Sequence, residues 1–148
     1  MRQPLAIAIA LVFCALSALH WYWVVGGVSS GIAAVPEVNG RPAFRPGRLS
    51  TAAVALALAA AALTVLVCGG VVPTGLPEWI PFWATVALGT LFVLRAVGEF
   101  HLDGFFKSVR GTPFARWDTW LFSPLCVALG LGCLWVARLA RTAAAPPS

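Results

Sequence analysis

The sequence has few charged residues for a chain of its length. Of its 148 residues, 10% are charged and 60% are hydrophobic, and the mean hydropathy is +0.89. A soluble domain of this size could not bury so much apolar surface. The composition therefore excludes an ordinary soluble domain and indicates an integral membrane protein.

The sequence also lacks the short motifs of metal, redox and hydrolytic sites. None of the cysteines forms a Cys-X-X-Cys pair, and all four lie inside apolar runs: Cys14, Cys68, Cys126 and Cys133. We therefore interpret them as packing residues and expect no metal and no cofactor. There is no HExxH pattern, no phosphate-binding glycine loop and no Ser-His-Asp spacing. The motifs favour a protein that is not an enzyme, without excluding one, and they assign no catalytic residue.

The basic residues give a formal net charge of +5 and an isoelectric point near 9.7. In a soluble protein this excess would suggest nucleic acid, but here the basic residues gather between apolar runs. That pattern fits anionic lipid headgroups and the control of membrane topology. We expect the lipid bilayer as partner and no nucleic acid.

Four apolar segments are long enough to cross a membrane. A hydrocarbon core of about 30 Å requires roughly 20 residues of helix. The segments cover about residues 5–25, 50–68, 79–100 and 118–136. Each must be helical, because hydrocarbon offers no hydrogen-bond partner to an exposed backbone group. The sequence thus predicts a single domain, residues 1–148, with an all-α fold: a four-helix transmembrane bundle.

The beginning of the fourth helix admits two positions. Ser123-Pro124 is typical of a helix start, but the apolar segment that follows is too short to span a bilayer. We therefore predict that the helix begins near Asp118, as its N-cap, and that it is kinked at Pro124.

The first helix has an alternative interpretation as a cleaved signal peptide. Arg2, a short apolar stretch and small residues at Ala15 and Ser17 resemble such a peptide. The apolar run continues, however, through Trp21, Tyr22 and Trp23, which are typical of an aromatic belt at the membrane interface. We favour a retained helix, and cleavage stays open.

The number of spans places both termini on one side and the two longer loops on the other. The positive residues of the long-loop side are Arg41, Arg45, Arg48, Lys107, Arg110 and Arg116, against Arg2, Arg138 and Arg141 on the other. The positive-inside rule then predicts a multi-pass protein of the plasma (inner) membrane with both long loops in the cytoplasm. Arg2 alone, at the N-terminus, argues for the reverse.

Four titratable residues from three helices fall at a similar depth near the long-loop side. Arg95 and Glu99 lie four apart, so they share a face of the third helix, while His20 lies near the end of the first and Asp118 at the start of the fourth. Each also has a structural explanation. Arg95 could pair with Glu99 or extend to the headgroups, Asp118 could be an N-cap, and His20 could bond its own backbone.

We predict that the four residues form a shared ligand-binding site. Arg95 would hold an anionic or carbonyl group, Glu99 and Asp118 would accept protons or hydrogen bonds, and His20 would change charge near neutral pH. Trp21 could line the pocket, although aromatic residues at this depth more often belong to the interfacial belt. Lys107 we place at the membrane surface with its charge among the headgroups.

Several short runs resemble a bacterial family of small four-helix membrane proteins. They are His20-Trp21, residues 41–46, 95–100, 104–107 and 114–119, and Ser123-Pro124-Leu125-Cys126. The family is a domain of unknown function, so the resemblance implies a fold and a membrane location but no activity.

The sequence favours a protein that binds or handles a small lipophilic or amphiphilic molecule, reached from the membrane, at the polar cluster. One alternative is a membrane enzyme that performs proton-transfer chemistry on a lipophilic substrate. Another is a structural or accessory subunit, whose polar groups would meet a membrane partner. Four helices enclose little room, so a transporter would require a homo-oligomer.

Overall fold

The fold is known from a computed structural model, which describes residues 1–26, 35, 37–38, 41–42, 47–98, 103–109 and 111–144. Its helices are α1 (Arg2–Gly26), α2 (Arg48–Cys68), α3 (Trp79–Val97), α4 (Pro113–Trp117) and α5 (Ser123–Ala144). A π-helical turn, Asp118–Phe122, joins α4 directly to α5. The strands β1 (Glu37–Val38) and β2 (Arg41–Pro42) form a two-residue antiparallel pair in the first loop.

Four helical segments are long and apolar enough to cross a membrane. They are α1, α2, α3 and the continuous segment Pro113–Ala143, which contains α4, the π-helical turn and most of α5. This confirms the predicted all-α four-helix bundle and a multi-pass membrane protein.

Two helix ends differ from the prediction. The third helix ends at Val97 rather than near Phe100, because Gly98 has a positive φ of 82° that breaks the helical path. The fourth begins at Pro113, where Thr112 is the N-cap and its hydroxyl accepts a 3.0 Å hydrogen bond from Ala115 N. Asp118 is therefore inside the helix, and its predicted role as N-cap is wrong.

The bundle consists of two closely packed pairs, α1 with α2 and α3 with α5. Small residues allow the second pair to approach. A Cβ built on Gly130 would lie 2.8 Å from the carbonyl oxygen of Gly89, so the two backbones are almost in contact. Membrane helices commonly pack in this way, since lipid provides no hydrophobic force between them. Between the pairs, Phe13 of α1 contacts Phe92 of α3, with ring centroids 5.2 Å apart.

The N-terminus is attached to the short link between α2 and α3. Arg2 Nε donates a 3.0 Å hydrogen bond to the Gly69 carbonyl, and Gln3 Nε2 donates one of 2.9 Å to the Gly70 carbonyl. The last turns of α3 and the first turns of the fourth span lie at the opposite end of the bundle. That is the end at which the polar residues were predicted to meet.

Candidate functional site

Asp118 is the centre of the polar residues at this end. It is the first residue of the π-helical turn and is 0% exposed. Its Oδ1 accepts a 3.0 Å hydrogen bond from Arg95 Nη2, and its Oδ2 accepts bonds of 2.9 Å from Lys107 Nζ and 2.8 Å from the Gly104 amide. A buried carboxylate requires such partners, because burial without them would be prohibitively costly. We call Arg95, Asp103, Gly104, Lys107, Asp118 and Thr119 the Asp118 network.

Lys107 belongs to this network and not to the membrane surface, so its predicted place among the headgroups is wrong. It is 3% exposed. Besides Asp118, its ammonium donates to the Gly104 carbonyl at 2.9 Å and to Thr119 Oγ1 at 2.7 Å. These bonds supply the buried ammonium group with hydrogen-bond acceptors, which explains how a lysine can be buried here.

Two glycines shape the segment that brings Lys107 to Asp118. Gly98 and Gly104 have φ values of 82° and 80°, and a Cβ on either would collide with the backbone of the other segment. The Phe105 amide donates a 2.9 Å hydrogen bond to the Ala96 carbonyl, which returns the chain to the end of α3. This close return places the Gly104 amide and Lys107 beside Asp118.

Arg95, in the last turn of α3, is only partly satisfied by the network. Nη2 bonds Asp118, and Nε lies 3.6 Å from Asp103 Oδ2, too far for a good hydrogen bond. Nη1 is buried and has no hydrogen-bond partner among the described residues. The guanidinium thus offers a buried donor that the described part of the chain does not use.

Ser123 provides a second buried polar atom in this region. Its amide bonds the Asp118 carbonyl, the five-residue step that defines the π-helical turn, and Pro124, which has no N–H, follows it. Ser123 is fully buried, and its Oγ has no hydrogen-bond partner among the described residues. Because Gly89 faces Gly130 in the α3–α5 pair, equal steps along both helices place Ser123 near the level of Ala96. The π-helical turn lies directly before Pro124, where a kink was predicted, and the kink itself stays a prediction.

Of the five residues predicted from the sequence, the structure brings two together, Arg95 and Asp118. The His20 ring bonds the backbone of its own helix, with Nδ1 2.8 Å from the Leu16 carbonyl oxygen, and it makes an edge contact with Trp23. Trp21 is 40% exposed, as expected of a belt residue. Glu99 lies outside the described residues, and the helix on which it was predicted to share a face with Arg95 ends before it.

Lys107 and Ser123 were missed as site residues, for different reasons. The sequence does contain a signal for Lys107, since Asp103 precedes it by four residues in a segment that is otherwise apolar and aromatic. No feature of the sequence identifies Ser123 as a site residue, because a serine before a proline is also the usual pattern of a helix start.

The described part of the chain contains no group of three or more His, Cys, Asp or Glu side chains that could hold a metal ion. The network has two cations, Arg95 and Lys107, and two carboxylates, Asp103 and Asp118. The charges of these described residues therefore balance. Chemically, the network can donate a hydrogen bond from Arg95 Nη1, and Ser123 Oγ nearby can donate or accept another.

Comparison with known proteins gives a family and no closer relative. No curated protein and no solved structure matches the chain. The model of a family described as a protein of unknown function, DUF3995, matches residues 13–133. The match covers α2 and α3 in full, the second half of α1 and the fourth span as far as the middle of α5. The chain therefore belongs to the DUF3995 family.

Proposed function

We propose that this membrane protein binds a small lipophilic or amphiphilic molecule at the Asp118 network, through a neutral oxygen of the ligand. The observation that carries this proposal is the buried Nη1 of Arg95, which has no acceptor among the described residues. A buried donor without a partner costs about 1–3 kcal/mol, and more when it is charged. A bound oxygen would remove that cost.

The charge balance of the network favours a neutral acceptor. Among the described residues, two cations already face two carboxylates, so an anionic ligand would add a negative charge for which they offer no further cation. A carbonyl, ether or hydroxyl oxygen satisfies Nη1 without that cost. Ser123 Oγ, near the same level of the α3–α5 pair, could bond a second polar atom of the same molecule.

The burial of the network also favours a ligand over a protein partner. Asp118 and Lys107 are almost completely hidden inside the chain. An accessory subunit that met a partner through these groups would present them on its outer surface. A small molecule that enters between the helices needs no such exposure.

Ser123→Ala separates binding from folding. Removing a hydroxyl that has no hydrogen-bond partner among the described residues should leave the free energy of unfolding unchanged or raise it. Binding should weaken by about tenfold, since a typical lost hydrogen bond costs about 1 kcal/mol or slightly more. The measurement is mass spectrometry of organic extracts from purified protein, quantified as extracted molecules per chain.

Thr85→Val is the matched control. Thr85 Oγ1 is also buried without a hydrogen-bond partner among the described residues, but it lies beside the thiol of Cys68, in another part of the bundle. Its loss should not change the extracted lipophile. If extracts of the wild type and both variants contain the same molecules in equal amounts, or if the wild type contains none, the proposal is wrong.

We also infer that the protein lies in the plasma (inner) membrane with both long loops in the cytoplasm. Lys107 is buried in an ion pair with Asp118, so we leave it out of the comparison of positive charges on the two sides of the membrane. Five arginines remain on the long-loop side, Arg41, Arg45, Arg48, Arg110 and Arg116, against Arg2, Arg138 and Arg141 on the other. The bias that supports this orientation therefore persists.

A further inference from the structure

A cavity lies at the other end of the bundle, and its chemistry differs from that of the Asp118 network. Its volume is about 540 Å³, within the range of about 300–1,000 Å³ typical of small-molecule sites. It is formed by the link between α2 and α3, the first turns of α3, the last turns of α5 and Arg2. The Asp118 network, at the far ends of α3 and the fourth span, does not contribute to it.

The wall of this end cavity is mainly apolar and aromatic. Trp79, Phe82 and Trp83 line it from α3, and both tryptophans are largely exposed on the surface of the bundle. Exposed tryptophans at the end of a membrane helix are typical of the level where headgroups meet acyl chains. An amphiphile can therefore place its chain against these rings and its head in the cavity.

The charged residues of the cavity have a positive balance. Among the described residues, Arg2 and Arg141 line it together with a single acid, Glu78. Both arginines are held in place. Arg2 Nε donates to the Gly69 carbonyl, while its guanidinium packs against Gly70. The guanidinium of Arg141 lies over the ring of Phe82, 5.9 Å from the centroid, at the distance of a cation–π contact.

We propose that the end cavity binds one anionic phospholipid of the bilayer, with its phosphodiester between Arg2 and Arg141 and its chains along Trp79 and Trp83. Guanidinium groups match phosphate oxygens in geometry and charge, and their restrained positions lower the entropic cost of binding. This site is independent of the one at the Asp118 network, since it uses other residues, an anionic ligand and the opposite end of the bundle.

Lipid retention tests the proposal. The protein is placed in nanodiscs that contain equal amounts of palmitoyl-oleoyl phosphatidylglycerol and phosphatidylcholine, then released into detergent and analysed by native mass spectrometry. We expect the wild type to retain one phosphatidylglycerol in preference to phosphatidylcholine. Arg141→Gln should lower that preference by about tenfold, the effect of a lost charge-assisted hydrogen bond.

Arg138→Gln is the matched control, because it removes the same charge from the same helix. Arg138 is also exposed, but it lies over Trp135 and does not line the cavity. It should leave the lipid preference intact. If both variants lost the preference for phosphatidylglycerol equally, the preference would reflect general surface charge and the proposal would be wrong. Equal retention of the two lipids by the wild type would also overturn it.

A further arm distinguishes a bilayer lipid from a free anion. Inorganic phosphate is added before release and compared with chloride at the same ionic strength, which screens charge equally. No specific effect of phosphate is expected. If phosphate but not chloride displaced phosphatidylglycerol, the cavity would be a site for a free anion, and the phospholipid proposal would be wrong. Thermal unfolding of each variant verifies that it is folded. Arg138 and Arg141 are both exposed, so we expect both variants to fold.

Discussion

At the scale of single residues, the contacts of Asp118 decide which substitutions should damage the fold. Its carboxylate is fully buried and receives bonds from a guanidinium, an ammonium and a backbone amide. Lys107 is buried with it, so removing the carboxylate charge would leave a buried cation without its counter-charge. Asp103 is different, because it is partly exposed and lies 3.6 Å from Arg95.

Asp118→Asn should therefore lower the free energy of unfolding by about 3–5 kcal/mol, the cost of breaking a buried ion pair. The matched change Asp103→Asn should cost less than about 1 kcal/mol, as partly exposed pairs usually do. Denaturant unfolding in detergent micelles measures both. Equal losses in the two variants would contradict the central place of Asp118 in the network.

At the scale of elements, two features of the backbone create the site. The return of the chain between Gly98 and Gly104 brings Lys107 inward, and the π-helical turn holds Asp118 directly before Ser123 and Pro124. Position 104 requires glycine for two reasons. Its φ is positive, and a Cβ there would collide with the carbonyl oxygen of Val97. Gly111 also has a positive φ, 90°, but no atom of the described residues would lie within 4 Å of a Cβ there.

This difference predicts unequal effects of the same substitution. Gly111→Ala should destabilise the protein by about 1–2 kcal/mol, the cost of the left-handed conformation alone. Gly104→Ala should cost roughly 1–3 kcal/mol more, because the neighbouring backbone must also move. Thermal unfolding of both variants in the same detergent compares them directly. A Gly104→Ala protein as stable as Gly111→Ala would show that the close return is not required.

At the scale of the whole molecule, the sequence was sufficient for the number of spans and not for the details of the site. Bilayer thickness restricts apolar runs strongly, so the four spans were predictable. Arg95 and Asp118 were also placed at one end, because helix length determines depth. Asp103, four residues before Lys107, signals that this lysine could belong to the site, but its burial against Asp118 depends on the backbone path at Gly98 and Gly104, which spacing does not predict.

The ends of helices explain the other differences. Arg95 and Glu99 were assigned to one helical face by their spacing, but α3 ends at Val97, where Gly98 takes a conformation that spacing alone does not reveal. For the fourth span, Thr112-Pro113 and Ser123-Pro124 are equally good start signals in sequence. The structure uses the first as the helix start and the second as the exit from a π-helical turn.

The orientation of the whole chain is open to a simple measurement. With five arginines on the long-loop side, we expect alkaline phosphatase fused after residue 148 to be active, because the C-terminus would lie outside the cytoplasm. A green fluorescent protein fused at the same position should be dark when exported unfolded. A bright fluorescent fusion with an inactive phosphatase fusion would place the long loops outside instead.

The central claim concerns Arg95 Nη1 and Ser123 Oγ, two buried polar atoms at this end of the bundle that have no hydrogen-bond partner among the described residues. An experimental structure of the protein in lipid nanodiscs, at a resolution that distinguishes water from an organic molecule, tests it most directly. We predict elongated non-protein density between α3 and α5, with one atom within hydrogen-bond distance of Arg95 Nη1. A lone water at that position, or a side chain of the protein itself, would contradict the account.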